Sequence, residues 1–123
     1  MTARGYEAYR AVEMQSTDPR RAVILLFEAM ERNLARAREA LAQAQWEEKH
    51  RSLARTQEIL QHLLMALDRR PAPELADGLA VLYAHLDRVL AEADLEDDAE
   101  KIQYAQGIIA KLTHAWREAA TRC

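Results

Sequence analysis

The chain has 123 residues, half of them apolar and 30% charged, with three glycines, three prolines and one cysteine. That length makes one ordinary domain whose interior suffices for folding without disulfides or metal, and the lone thiol, Cys123, has no pair, which excludes a disulfide scaffold and points to the reducing cytoplasm. The net charge of −3 divides into +2 over residues 1–70 (12 basic, 10 acidic) and −5 over residues 71–123 (5 basic, 10 acidic), and the basic half carries Glu28, Glu31, Glu39, Glu47 and Glu48 among its arginines; nucleic acid requires a concentrated basic face, so no nucleic-acid partner is expected.

Alanine and leucine together number 40, against 14 for valine, isoleucine and threonine, so the best helix formers dominate and the chain reads as all-α. The longest unbroken apolar run, Ala22 to Phe27, falls far short of the ~20 residues that span a bilayer, and the first residues lack a charged-then-apolar signal pattern. No stable membrane insertion is expected.

Residues 1–17 read as a flexible N-terminal arm bearing Tyr6 and Tyr9 on an otherwise polar stretch. Ser16-Thr17-Asp18-Pro19 then gives a helix start, with Asp18 able to accept from the first free amides and Pro19 suited to the first helical position. Val23, Phe27, Met30, Leu34, Ala37, Leu41 and Ala44 step by four and three, which predicts a first helix over 19–44 with one apolar stripe. A second stripe, Leu53, Thr56, Leu60, Leu63 and Leu67, predicts a helix over 47–70, closed by the positive charges of Arg69 and Arg70 and ended by Pro71 and Pro73. The break between these two helices contains neither Gly nor Pro, and only the length of the periodic run argues for a turn there.

Pro73 opens a third helix, 73–94, with Leu75, Leu79, Leu82, Leu86, Val89 and Ala93 on its stripe. From Glu92 to Glu100 six of nine residues are acidic, a density that disfavours a continuing helix and favours a new N-terminus, and Asp97 with Glu100 resembles a capping box. The fourth stripe is Ile102, Ala105, Ile109, Leu112, Trp116 and Ala119, within a helix over 98–119. Four helices of similar length with short connections bury their stripes most simply as an antiparallel up-down-up-down four-helix bundle.

Chemistry is sparse. A di-metal bundle needs two Glu-x-x-His pairs and two further glutamates, and only Glu47-x-x-His50 has that spacing, off the apolar stripe, where a solvated surface pair is the simpler reading. His62, His85 and His114 sit on separate segments, and no nucleophile triad, phosphate loop or HExxH pattern occurs, so neither enzymatic activity nor a cofactor is expected. Ile59, Leu64, Tyr83, Leu90, Tyr104 and Ile108 lie beside the strict stripes. They either widen the core, since a core-facing helix uses about three positions in seven, or line a groove for a partner helix.

The stretch STDPRRAVILLFEAM (Ser16 to Met30), Lys49, Leu53, Arg55, the Ile59-Leu60 pair, Leu67-Asp68, LYAHLDRVLAEADLEDD (Leu82 to Asp98) and Ala115-Trp116 closely resemble, as an ordered set, the FliS family of flagellar secretion chaperones. Tyr6 and Tyr9 fall where that family carries its N-terminal apolar and aromatic pair. The resemblance implies a small cytoplasmic helical bundle that binds the C-terminal segment of flagellin, prevents its premature polymerisation and delivers it to the gate of the flagellar type III export apparatus, without turnover. It also implies that flagellin folds as short helices into apolar grooves, with Ile59, Leu63, Tyr83, Leu86, Leu90 and Ile108 as groove residues, and that the arm bearing Tyr6 and Tyr9 covers a groove when it is empty. The free protein is then a monomer or weakly self-associating, and Leu90→Asp or Ile108→Asp should weaken the complex with the bundle still folded. The alternatives are a helical adaptor or chaperone for a different flagellar export substrate, and a metal-carboxylate bundle.

Overall fold

A computed structural model describes residues 19–122. Four helices follow one another, α1 (Pro19–Ala42), α2 (Trp46–Ala66), α3 (Pro73–Glu96) and α4 (Ala99–Thr121), and no strand occurs among the described residues. Each helix packs on its sequence neighbours, and α1 also closes against α4, with the α3–α4 seam the least extensive. Short connections make consecutive helices antiparallel, so the fold is an all-α four-helix bundle. Phe27, Met30 and Leu34 of α1 meet Leu53 and Leu60 of α2, Leu86 and Leu90 of α3, and Ile102 and Ile109 of α4 in one continuous core.

The α1–α2 turn is built without glycine. Ala44 takes the left-handed conformation (φ 57°), while the Gln45 amide donates to the Ala40 carbonyl at 2.8 Å and the Ala44 amide to that of Leu41 at 3.1 Å. These two bonds are a Schellman closure, which satisfies carbonyls that a helix end otherwise leaves free. An alanine rather than a glycine at that φ costs about 1 kcal/mol, and the helix ends at Ala42, two residues before the expected limit.

The α3–α4 turn uses the same device. Asp97 is left-handed (φ 52°), and the Asp98 amide donates to the Ala93 carbonyl at 3.0 Å. The N-cap of α4 is Asp98, whose carboxylate accepts from the amides of Glu100 and Lys101. The N-cap expected at Asp97 is therefore displaced by one residue, because the reversal itself occupies Asp97, and with Lys101 three residues after Asp98 the cap is not a capping box.

The second helix also stops early. Leu67 turns to extended backbone (φ −62°, ψ 131°) and its side chain folds against the core, so Arg69 and Arg70 do not form a last helical turn as expected. Arg69 instead grips the Asp77 carboxylate with two nitrogens, at 2.7 and 2.9 Å, and Arg70 pairs with Asp68. Pro73 opens α3 as expected. The expected cap at Asp18 lies outside the described residues.

Where α2 begins and α3 ends, Lys49 is 5% exposed. Its ammonium donates to the Asp94 carbonyl oxygen at 2.8 Å, to the Asp94 carboxylate at 2.9 Å and to the Asp97 carboxylate, while His50 Nδ1 meets the other Asp94 oxygen. Burial opposes the charge on Lys49, but its hydrogen bonds to Asp97 and Asp94 outweigh that and hold its pKa above the ordinary lysine value. Burial likewise opposes the charge on Asp94, and the hydrogen bonds from His50 and Lys49 carry its pKa below the ordinary carboxylate value.

A group whose pKa is lowered by folding contributes stability that is present above its unfolded value and lost as pH falls through its folded one. Asp94→Asn should therefore lower the stability at pH 7 by about 1–3 kcal/mol for lost charge-assisted bonds, seen as a lower thermal midpoint, and the gap from the parent should narrow as pH falls below about 4. Thermal melts of both proteins across pH check this. In the core, Leu90→Ala should destabilise by about 2–5 kcal/mol with the helix content retained, measured by denaturant titration followed by circular dichroism.

Candidate functional site

The two ends of the bundle differ. At one, tight reversals join α1 to α2 and α3 to α4, and Lys49 ties α2 to α3. At the other, α1 and α3 begin, α2 and α4 finish, and the only connection is the six-residue segment 67–72. The early stop at Ala66 and the extended Leu67 carry the chain across this end without filling it.

What remains is an apolar cavity of about 270 Å³. Leu63 and Leu67 come from α2 and its exit, Leu75, Leu79 and Tyr83 from α3, Val23 from α1 and Trp116 from α4, with Pro71 and Ala72 of the connector and Asp68 completing the wall. Leu75 at its margin is 63% exposed, and Leu64 and Met65 at the end of α2 are exposed as well. The volume falls below the ~300–1,000 Å³ of drug-sized ligand pockets, so it has room for side chains rather than for a cofactor.

Tyr83 lies deep in this wall, only 2% exposed. Its ring sits 6.5 Å from that of Phe27, tilted by 48°, and burial pushes its phenol pKa up to about 12. The hydroxyl is thus neutral, and a potential donor, at any physiological pH.

The groove residues expected from the sequence separate into three groups. Leu63 and Tyr83 line the cavity together. Leu86 and Leu90 are fully enclosed, and Ile59 is buried with them in the core. These three widen the core and form no open groove in the free chain; a carboxylate at Leu90 would be buried without a partner, so Leu90→Asp reports on folding rather than on docking. Ile108 is half-buried against the core from α4.

On the facing turns of α3 and α4, His85 Nε2 lies 2.9 Å from the Tyr104 hydroxyl with the rings edge to face, and Val81 is largely exposed. Tyr6 and Tyr9 lie outside the described residues. Val23, Leu67, Leu75, Leu79 and Trp116 read in the sequence as ordinary stripe positions. The available signal was the place of Leu67, Leu75 and Leu79 at the ends of their stripes, on either side of Pro71 and Pro73.

Glu47 is exposed and His50 is engaged with Asp94; among the described residues no three His, Cys, Asp or Glu side chains are grouped to hold a metal. No helix of the described residues is long and apolar enough to cross a membrane.

The model of the family described as "Flagellar protein FliS" matches residues 2–122. The chain is 31% identical over 122 residues to the flagellar secretion chaperone FliS of Salmonella typhimurium, covering 95% of this chain and 90% of the relative. It is 29% identical over 113 residues to that of Campylobacter jejuni (92% and 88% covered), and 24% identical over 114 residues to that of Bacillus subtilis (93% and 84% covered). With these matches over nearly its whole length and a four-helix bundle as its fold, the chain belongs to the FliS family of flagellar secretion chaperones.

Proposed function

We propose that this chain is a cytoplasmic export chaperone that binds the C-terminal segment of flagellin, keeps it from polymerising early and delivers it to the gate of the flagellar type III export apparatus. Family membership supports a flagellar export substrate. The observation that carries the docking mode is the apolar cavity at the open end of the bundle, continuous with the exposed Leu75. A client segment that buries one or two large apolar side chains there gains about 1.5–3 kcal/mol for each, enough for a reversible complex and compatible with release at the gate. Leu63 and Tyr83 are the docking contacts retained from the sequence reading, with Ile108 on the α3–α4 side as a second contact. Ile59, Leu86 and Leu90 serve docking indirectly, through the core they share with Leu63 and Tyr83.

The arm bearing Tyr6 and Tyr9 is proposed as a cover for the same surface. α1 starts at Pro19, about one turn from Val23 in the cavity wall, so the chain before it joins the bundle at the open end. A tethered segment acts at high effective concentration and still yields to a client with more contact area.

Titration calorimetry with flagellin is expected to give a 1:1 complex that is lost when flagellin's C-terminal segment is removed; undiminished binding of truncated flagellin refutes the C-terminal reading. Leu75→Asp should weaken the complex tenfold or more without lowering the thermal midpoint, because the side chain is already mostly exposed while its docked form would bury a charge. Deleting residues 1–15 should increase self-association of the free protein, read by sedimentation, and leave flagellin affinity equal or higher. Unchanged sedimentation and affinity would leave the arm without a covering role.

A further inference from the structure

The buried hydroxyls of the bundle are satisfied, with one exception. Thr56 donates to the Ser52 carbonyl at 3.2 Å and Ser52 to Glu48 at 3.2 Å. The Thr113 hydroxyl lies 2.6 Å from a Glu31 carboxylate oxygen and 2.9 Å from the Ile109 carbonyl. Tyr83 is as buried as these residues, yet among the described residues its hydroxyl has no hydrogen-bond partner. No fully enclosed side-chain nitrogen or oxygen among the described residues lacks a partner, so this hydroxyl is not sealed in the core. Tyr83 is one of the residues that line the cavity.

We propose that the Tyr83 hydroxyl is the polar contact of the cavity, donating a hydrogen bond to an uncharged carbonyl oxygen of the docked flagellin segment and so fixing the register in which its apolar anchor seats. The inference rests on the docking role proposed above. An occupant that fills the cavity with hydrocarbon alone would exclude water from this hydroxyl and strand it unpaired, an outcome that folded and bound states avoid. A carboxylate acceptor is disfavoured, because it would be desolvated by an apolar wall whose one acidic member is Asp68. Carbonyl oxygens inside a helix are engaged by its own amides, whereas the last four of a helix are free. Carbonyls inside a helix can accept a second bond, as those of Ser52 and Ile109 do here, but a wholly free acceptor favours a segment that places a large apolar side chain beside a helix C-terminus or at a break between two helices. A site that hydrogen-bonds a buried group discriminates against ligands in the wrong register more sharply than hydrocarbon contact does.

The test compares the full chain with its Tyr83→Phe and Leu75→Asp variants, each melted alone and titrated with the flagellin C-terminal segment as a peptide. Tyr83→Phe should bind about three- to tenfold more weakly with a thermal midpoint equal to or above that of the parent. In a peptide series in which one backbone amide at a time becomes an ester, which weakens that unit's carbonyl as an acceptor, the parent should lose affinity at one carbonyl where Tyr83→Phe loses none. If Tyr83→Phe binds as tightly as the parent while Leu75→Asp does not, the cavity docks the segment but the hydroxyl is idle, and the inference fails alone. If Leu75→Asp binds as the parent does, the docking reading falls and takes the inference with it. A midpoint several degrees lower for free Tyr83→Phe assigns the hydroxyl to the chain's own fold, its own first residues included, and overturns the proposal.

Discussion

The ammonium of Lys49 holds the end of one helix to the start of another. Its three protons go to two acidic side chains and to one of the carbonyls that α3 cannot satisfy internally, so a single buried cation caps α3 at its negative pole and pins α2 beside it. Ion pairs withdrawn from water are weak sources of stability compared with hydrocarbon of the same volume, but removing one partner is costly, which makes them effective at specifying one arrangement. Here the arrangement specified is the closed end of the bundle. Two tight reversals and this cation lie at one end of the bundle, and the apolar cavity lies at the other.

Much of this architecture is legible in the sequence because hydrophobic spacing and proline placement act locally. The stripes from Phe27 to Ala37 and from Ile102 to Ile109 are the core residues observed, and Pro73 starts a helix because a residue without an amide loses nothing there. The turn at Ala44 is not legible. Its conformation is imposed by helix packing on a residue that does not favour it, and no local chemistry announces it. The one-residue displacement of the α4 cap has a related origin: in a run of acidic residues each could cap a helix, and the choice falls to Asp98 only because Asp97 is used to reverse the chain.

The split of the candidate residues between core and cavity was not legible for a similar reason. Apolar residues beside a stripe look alike whether they widen a core or face a partner, and periodicity assigns a residue to a side of a helix, not to a position along the bundle. Leu86 and Leu90 are wholly enclosed in the core, whereas Leu63 and Tyr83, members of the same core, also line the cavity. The contribution of the connector, through Leu67, Pro71 and Ala72 of the cavity wall, becomes known only once segment 67–72 is seen to cross that end.

The order of helix contacts has a kinetic consequence. Three of the four main seams join neighbours in sequence, and only α1 with α4 brings together distant parts of the chain, through Glu28 with Arg117 and Glu31 with Thr113. Such local topologies fold in microseconds to milliseconds, and the long-range seam carries the largest loop-closure cost. Val23 and Trp116 enter the cavity from opposite sides of that last seam. The cavity is therefore completed by the final closure of the bundle, and a nascent chain still lacking α4 has three of its helices and an unfinished cavity wall.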